Sequence, residues 1–99
     1  MIHVLAVITA KPGMRDRILE QFRANMPAVH AENGCIEYVP VVDAPGSPAA
    51  YGPDTFVVIE KWSSMETLKA HGASPHMAAY GARVRDMVAD RAIHIMNDA

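Results

Sequence analysis

The sequence predicts an α+β fold with the element order β-α-β-β-α-β, formed by a single domain that spans residues 1–99. Three observations support this prediction. The chain has 99 residues, which suffices for one hydrophobic core but not for two. Short runs rich in β-branched residues alternate with longer segments in which apolar residues recur every three or four positions. A stretch dense in proline and glycine divides the chain into two strand–helix–strand halves.

The first half contains a predicted strand over residues 2–9, a helix over residues 14–32 and a second strand over residues 35–42. Pro27 removes a backbone donor within the helix and therefore predicts a kink there. Gly34 provides the stop signal that ends the helix before the second strand. The apolar stripe of the helix comprises Ile18, Phe22, Met26 and Val29.

The second half begins after a predicted loop over residues 43–54, whose prolines and glycines exclude a regular element. The third strand covers residues 55–62 and carries the sequence TFVVIEKW. Ser63 and Glu66 have the spacing of a capping box, so we expect a short helix that runs to about Ala70.

Ser74 and Pro75 are an N-cap residue followed by a proline at the first helical position, which predicts a second helix that runs to about Asp90. A fourth strand over residues 92–96 closes the chain. This element order is the ferredoxin-like pattern, in which helices cover one face of a four-stranded antiparallel sheet. The apolar stripe of the second helix comprises Met77, Tyr80, Val84, Met87 and Val88.

The predicted strands are apolar on both faces. A sheet face that meets water is usually polar, so a second apolar face needs a cover. A second copy of the same sheet is the simplest cover, and we therefore expect a homodimer whose sheets face each other. In the first strand, the two alternating sets are Ile2, Val4, Ala6 and Ile8, and His3, Leu5, Val7 and Thr9.

The composition is that of an ordinary soluble protein, with 51% hydrophobic residues, 20% charged residues and a formal net charge of −2. Basic residues form no stripe, so neither nucleic acid nor an anionic membrane is an expected partner. No apolar run is long enough to span a bilayer, and the first residues do not resemble a signal peptide. Cys35 is the single cysteine and cannot form an internal disulfide. Together these features favour a cytoplasmic location.

The segment HGASPHM, residues 71–77, contains two histidines that bracket a Ser-Pro pair at the predicted corner between the two last helices. His71 and His76 are five apart, whereas histidine pairs that bind metal on one helix are three or four apart, so no metal site is expected. His71 follows Leu68 by three and should point toward the sheet, where it could act as a base. His76 should anchor the helix corner and border the same pocket, and Tyr80 lies four residues later on its face.

Two residues on the third strand are further candidates for a binding pocket. Trp62 and Glu60 alternate onto the same strand face, and a carboxylate beside an indole must either reach water or be paired inside the protein. Tyr38 and Tyr51 are interpreted as packing or rim residues. No glycine-rich phosphate loop, G-x-S-x-G turn or dinucleotide fingerprint is present, so the sequence shows no motif for holding a cofactor.

Three segments resemble the antibiotic biosynthesis monooxygenase family: VITAKPG, ENGCIEY and IEKWSSMETLKAHGASPHMAAY. The resemblance covers nearly the whole chain, and the third segment is its most specific part. In that segment the residues that match the family pattern are Glu60, Trp62, Leu68, His71, Ser74, Pro75 and His76.

The resemblance implies a dimeric ferredoxin-like α+β barrel that oxidises a quinol or another phenolic small molecule with molecular oxygen, without metal or flavin. A deprotonated hydroquinone can itself give an electron to oxygen, so the protein needs to supply a base and a dry pocket. On this interpretation His71 transfers the proton, and the pocket is lined by Trp62, His76, Tyr80 and Glu60.

The sequence departs from parts of the family pattern. Val58 stands where polyketide-oxidising relatives have an asparagine, and Gly81 stands near the position of the histidine in haem-degrading relatives. Haem cleavage is therefore not expected. Two alternatives stay open: an isomerase of a small phosphorylated signalling sugar, which shares the H-x-x-[ST]-P-H corner, and a non-catalytic dimeric barrel that binds a small ligand.

Overall fold

The computed structural model describes residues 1–99 and confirms the ferredoxin-like α+β fold. The four strands form one antiparallel sheet in the order β2-β3-β1-β4. None of the helices is long and apolar enough to cross a membrane. The elements in chain order are β1 (Ile2–Ala10), α1 (Arg15–His30), β2 (Cys35–Val41), β3 (Thr55–Trp62), α2 (Met65–Gly72), α3 (Pro75–Val84), a 3₁₀ turn (Arg85–Met87) and β4 (Val88–Asn97).

The helices cover one face of the sheet and form the hydrophobic core with it. The predicted stripe of α1 is confirmed, since Ile18, Phe22 and Val29 are buried and Met26 packs against the core. The helix continues through Pro27 to its end at His30. From the sheet, alternate residues of two central strands enter this core: Ile2, Val4, Ala6 and Ala10 from β1, and Phe56, Val58 and Trp62 from β3.

The cap of α2 lies one residue later than the sequence predicts. Ser64 is the N-cap residue, and its hydroxyl accepts a hydrogen bond from the backbone N–H of Thr67 at 3.2 Å. The Thr67 side chain accepts in return from the Ser64 backbone N–H at 3.3 Å, so the reciprocal pair is Ser64 with Thr67. The predicted pairing of Ser63 with Glu66 was wrong, since the capping box is formed one residue later, by Ser64 and Thr67.

The second long helix is shorter than its apolar spacing indicates, and the prediction that it reaches Asp90 was wrong. It ends at Val84, and Val88 already belongs to the fourth strand. The N–H of Lys11 donates to the carbonyl of Met87 at 2.9 Å, which joins the 3₁₀ turn to the end of β1. Pairing with the edge of the sheet supplies hydrogen bonds that outweigh the local helical preference of this segment.

Gly34 holds the start of β2 against the turn between β3 and α2. Its φ angle of +81° lies in the left-handed region, and its carbonyl accepts a hydrogen bond from the N–H of Ser63 at 2.9 Å. A Cβ atom at this position would lie 2.5 Å from Ser63 Oγ and 2.5 Å from Thr67 Cγ2. Only glycine fits such a close approach, and the contact brings the end of α1 beside α2.

The other face of the sheet, which no helix covers, is called the open face here. Its central residues are apolar, and several keep a large exposed fraction, such as 37% for Leu5 and 40% for Met96. A concavity of about 610 Å³ lies on this face beside the loop between β2 and β3, and Tyr51 is part of its wall. That loop is held by Asp43, which accepts the backbone N–H groups of Tyr51 and Gly52 at 3.0 and 2.8 Å.

Candidate active site

The helix-covered face of the sheet holds a group of polar side chains where an apolar core would be expected. Asn25, Glu60 and His71 are each less than a tenth exposed. A buried polar group lowers stability unless it has a hydrogen-bond partner, so each of these side chains needs one. The whole group is called the polar cluster here and consists of Asn25, Glu32, Glu60, His71 and His76.

His71 lies on the inner side of α2 and is 7% exposed, so its expected inward orientation is confirmed. Its Nδ1 atom is 2.7 Å from Oε2 of Glu32. The imidazole lies against the indole of Trp62, with ring centroids 4.7 Å apart, and meets the edge of Tyr38 at 5.4 Å. The ring is therefore fixed on two sides by aromatic contacts and on one side by a charged hydrogen bond.

Glu32 connects the two histidines and was not singled out by sequence reasoning. Its second oxygen, Oε1, lies 2.8 Å from Nε2 of His76, so each imidazole binds a different oxygen of the same carboxylate. Sequence spacing offered no carboxylate near the histidines because Glu32 precedes His71 by 39 positions. The fold supplies it by placing the residues that follow α1 beside the α2–α3 corner. No pattern in the sequence indicates this pairing.

His76 occupies the first turn of α3 and closes the other side of the polar cluster. Its Nδ1 atom lies 3.3 Å from Nδ2 of Asn25, and its side chain is 28% exposed. Nδ2 of Asn25 also lies 3.4 Å from the sulfur of Met77. His76 thus connects α3 to Asn25 of α1 and to Glu32 in the segment after α1, which agrees with the expectation that it anchors the helix corner.

Glu60 is paired inside the protein and does not reach water. The indole Nε1–H of Trp62 donates to its Oε1 at 3.0 Å, and the residue is 6% exposed. Burial raises the pKa of Glu60 above the ordinary glutamate value, although the indole hydrogen bond and the nearby His71 counteract part of that rise. Glu60 therefore orients the indole against which His71 packs.

The tyrosines of the region remain phenols at neutral pH. Tyr38 stacks on Phe22 with ring centroids 5.1 Å apart, and burial raises its pKa well above the usual tyrosine value. Burial also raises the pKa of Tyr80 to about 12. Tyr80 makes its aromatic contact with Phe22 at 6.0 Å, and the aromatic contacts reach His71 only through the rings of Phe22 and Tyr38. Neither phenol is suited to act as a base.

A cleft of about 340 Å³ lies between the residues that follow α1 and the helix α2, and His71 is part of its wall. The Nε2 atom of His71 makes no hydrogen bond within the chain, whereas Nδ1 is bonded to Glu32. A neutral imidazole that donates through Nδ1 has an unshared electron pair on Nε2. The cleft is lined by Glu32, Asn33, Glu66, Thr67, Ala70 and His71.

This arrangement can carry out proton transfer. A carboxylate that accepts the Nδ1–H of a histidine selects the tautomer and stabilises the imidazolium that forms when Nε2 takes a proton. Trp62 and Tyr38 exclude water from the remaining sides of the ring. His71 therefore has the geometry of a general base at the end of a cleft.

The chain is similar to known proteins over its whole length. The family model described as antibiotic biosynthesis monooxygenase matches residues 1–83. A protein of Escherichia coli K12 named probable quinol monooxygenase YgiN is 38% identical over 100 residues, which cover 97% of this chain and 96% of that protein. A protein of the same name from Shigella flexneri has the same identity and coverage.

Solved structures share the fold. A crystal structure of an antibiotic biosynthesis monooxygenase superposes with a TM-score of 0.84 at 25% identity, covering 100% of this chain and 99% of the other. A putative antibiotic biosynthesis monooxygenase from Nitrosomonas europaea superposes with a TM-score of 0.86 at 20% identity, covering 99% of this chain and 98% of that one. At that lower identity the likeness concerns the fold alone.

Proposed function

The chain belongs to the antibiotic biosynthesis monooxygenase family, and from that premise we propose that it oxidises a quinol or a related phenolic small molecule with molecular oxygen. The similarity to a protein named probable quinol monooxygenase supports a quinol as the substrate. We further propose that the reaction uses neither a metal nor a flavin and takes place in the cytoplasm, within the single domain that the chain forms.

The observation that carries this proposal is the His71–Glu32 pair at the end of the cleft. The distance of 2.7 Å between Nδ1 and Oε2 is that of a hydrogen bond, and a neutral imidazole that donates through Nδ1 has an electron pair on Nε2 that can take a hydroxyl proton. A positioned base of this kind typically contributes about 10²–10⁴-fold to a reaction rate. A hydroquinone must lose a proton before it reacts readily with oxygen, so the base acts at the step where it is needed.

The chemistry balances with the substrate and oxygen alone. His71 takes the hydroxyl proton, and the phenolate transfers electrons to oxygen as a C–O bond forms at a neighbouring unsubstituted ring carbon. The resulting hydroperoxide takes the proton back from Nε2. The O–O bond then breaks and water leaves together with the hydrogen of that carbon, which gives a hydroxyquinone. The hydroquinone supplies all four electrons that oxygen accepts.

The polar cluster and the aromatic side chains have separate tasks in this reaction. Glu32 stabilises the imidazolium of His71 while the substrate is a phenolate. Trp62 and Tyr38 are buried beside His71 and do not line the cleft, so their task is to keep water away from the other sides of the imidazole. Glu60 acts on His71 only through the indole that it orients.

The lining of the cleft argues against the phosphorylated sugar that an isomerase of this superfamily would use. Two of its six lining residues are the carboxylates Glu32 and Glu66, and none is a lysine or an arginine. A phosphate group would be repelled there, because phosphate sites are built from basic side chains or clusters of backbone N–H groups. A neutral hydroquinone meets no such repulsion.

We also propose that the protein works as a homodimer that pairs the open faces of two sheets. Every residue of β4 after Val88 is exposed. On the open face, Leu5 and Met96 are apolar and are 37% and 40% exposed. An apolar surface of this extent on a small protein supports burial against a second copy.

The test is oxygen uptake with a 1,4-naphthohydroquinone that has a free ring position, measured in ¹⁸O₂ and corrected for uptake without protein. We expect one ¹⁸O atom in the hydroxyquinone and one in water for each molecule of oxygen consumed. Uptake that yields hydrogen peroxide and an unlabelled quinone would contradict a monooxygenase and indicate a simple oxidase. Tight binding of the hydroquinone without catalysed uptake would support the ligand-binding barrel instead.

A further inference from the structure

Asn25 and His76 lie behind Glu32 and are not part of the cleft lining. We propose that these two side chains are positioning residues, which act through Glu32 to keep the proton of His71 on Nδ1 and leave Nε2 free as the base. The inference rests on the proposed function for its effect on turnover. The hydrogen-bond arrangement itself can be tested without any substrate.

The orientation of the Asn25 amide is the first step of the argument. Its Nδ2 atom lies 3.3 Å from Nδ1 of His76 and 3.4 Å from the sulfur of Met77. A thioether sulfur can only accept hydrogen bonds, so the group that faces it must be the amide NH₂. The same NH₂ group then donates its other hydrogen to Nδ1 of His76, which must carry an electron pair there.

The tautomer of His76 follows from that contact. A neutral imidazole that accepts at Nδ1 carries its hydrogen on Nε2. Nε2 lies 2.8 Å from Oε1 of Glu32, so His76 donates to the carboxylate. One oxygen of Glu32 is thereby occupied, and the carboxylate is held in the orientation that presents Oε2 to His71.

The tautomer of His71 follows in turn from its contact with Glu32. Oε2 of an ionised Glu32 can only accept, so Nδ1 of His71 must donate, and in the neutral imidazole Nε2 then keeps its electron pair. Asn25 therefore donates to His76, and His76 donates to Glu32. His71 donates to the other oxygen of the same carboxylate. Water competes poorly for these bonds, since the side chains of Glu32 and His71 are only 16% and 8% exposed.

No other titratable group around His71 fixes its tautomer in place of Glu32. The Glu60 carboxylate is engaged by the indole of Trp62 at 3.0 Å, and Tyr38 meets the imidazole through its ring. Cys35 at the start of β2 is half-buried and has no hydrogen bond to His71. The carboxylate of Glu32 is thus the only hydrogen-bond partner of the His71 ring in the structure.

The test uses long-range ¹H–¹⁵N correlation spectra of the histidine rings in the full chain, which distinguish a protonated ring nitrogen from an unprotonated one. At neutral pH we expect a single tautomer for each ring: hydrogen on Nδ1 in His71 and on Nε2 in His76. A mixture of tautomers at His71 in the native protein would overturn the proposal.

Two substitutions of His76 separate positioning from mere packing. His76→Gln keeps an N–H group near the place of Nε2, so His71 should remain in one tautomer. His76→Leu removes the donor, so the His71 nitrogen signals should average toward two tautomers, and kcat/KM should fall about tenfold or more below that of His76→Gln. An unchanged His71 tautomer in His76→Leu would overturn the inference.

Asn25→Asp tests the other end of the chain of donors and does not depend on the His76 variants. A carboxylate cannot donate to Nδ1 of His76, so it should draw a proton there and leave both nitrogens of His76 protonated at neutral pH. If His76 stays neutral in this variant, residue 25 does not bond to Nδ1 of His76, and if both nitrogens of His76 are already protonated in the native protein, the assigned orientation of the Asn25 amide is wrong. The matched control is Arg83→Ala, which breaks the 2.9 Å bond to Gln21 between α3 and α1 and should leave both histidine spectra unchanged.

The two proposals fail in different ways. If no hydroquinone supports oxygen uptake by the native protein but the spectra show the expected tautomers, the proposed function is wrong and the positioning network stands. If uptake occurs and the spectra show mixed tautomers at His71, the monooxygenase stands and the positioning network is wrong.

Discussion

The two faces of the sheet differ in a way that reverses the usual distribution of polar residues. The helix-covered face, which should be apolar, holds the polar cluster around His71 and Glu32. The open face, which should be polar, presents Leu5 and Met96 to solvent. Neither departure favours the folding of an isolated chain, because buried polar groups lose their contact with water and exposed apolar groups contribute no burial energy.

The comparison teaches where function resides in this molecule. On the helix-covered face every member of the polar cluster has a specific partner, as expected where buried groups are kept for chemistry. On the open face the apolar residues have no partner within the chain, as expected where a second molecule completes the structure. One face is organised for a reaction and the other for assembly.

The largest expected effect concerns the reaction. His71→Ala should lower the turnover of a hydroquinone by about 10²–10⁴-fold, because the variant lacks the base at the end of the cleft. Initial oxygen uptake measures this loss. His30→Ala is the matched control, since His30 binds the carbonyl of Tyr38 outside the polar cluster, and it should keep most of the activity. Equal activities of the two variants would show that His71 has no special part in the reaction and that the polar cluster on the helix-covered face is not the active site.

The next effect concerns the open face. Leu5→Glu should raise the dissociation constant of the dimer by about a hundredfold or more, because it would bury an unpaired charge between the two sheets. Sedimentation at micromolar concentration measures the shift to monomer. Met65→Glu is the control, because Met65 on α2 is 39% exposed and Leu5 is 37% exposed. A native protein that sediments as a monomer would show that the open face has another purpose.

A smaller effect is expected at the glycine that joins the polar cluster to the sheet. Gly34→Ala should reduce the free energy of unfolding by about 2–4 kcal/mol, since a left-handed backbone and close contacts with Ser63 and Thr67 both oppose a Cβ atom. Gly46→Ala has a similar φ of +83° with nothing within 4 Å, so it should cost only about 1–2 kcal/mol. Equal losses, measured by urea unfolding, would show that the contacts of Gly34 carry no strain.

The smallest expected effect is the contribution of the buried Glu60 carboxyl group to the pH dependence of stability. Burial raises the pKa of Glu60 in the folded protein, so between 4.5 and that raised value the folded state binds more protons than the unfolded state. Stability contributed by this group is therefore present at low pH and lost as pH rises through that window. Glu60→Gln should weaken this loss, and its stability relative to the native protein should increase with pH.

Urea unfolding at a series of pH values measures the Glu60 effect. The exposed residue Glu20 provides the control, and Glu20→Gln should not change the slope of stability with pH. A native slope that Glu60→Gln leaves unaltered would show that the raised pKa of Glu60 has no part in the pH dependence.

Some of the site could be inferred from local spacing. Leu68 and His71 are three residues apart on a short helix, so the orientation of one indicates the orientation of the other. The alternation of Glu60 and Trp62 along one strand likewise placed both on a common face, where the structure joins them by a hydrogen bond. The role of Tyr80 was harder to judge, because its helical spacing from His76 says nothing about the Phe22 ring that it contacts.

The sequence by itself determined the strands, the helices and the apolar character of both sheet faces, because β-branched runs, helical spacing and turn residues act within a few positions of one another. Only the tertiary structure decided that Glu32 joins His71 to His76 and that the last helix ends at Val84. Both depend on hydrogen bonds between residues far apart in the chain. Such bonds exist only after the strands have paired and the helices have packed, so no local pattern carries their signature.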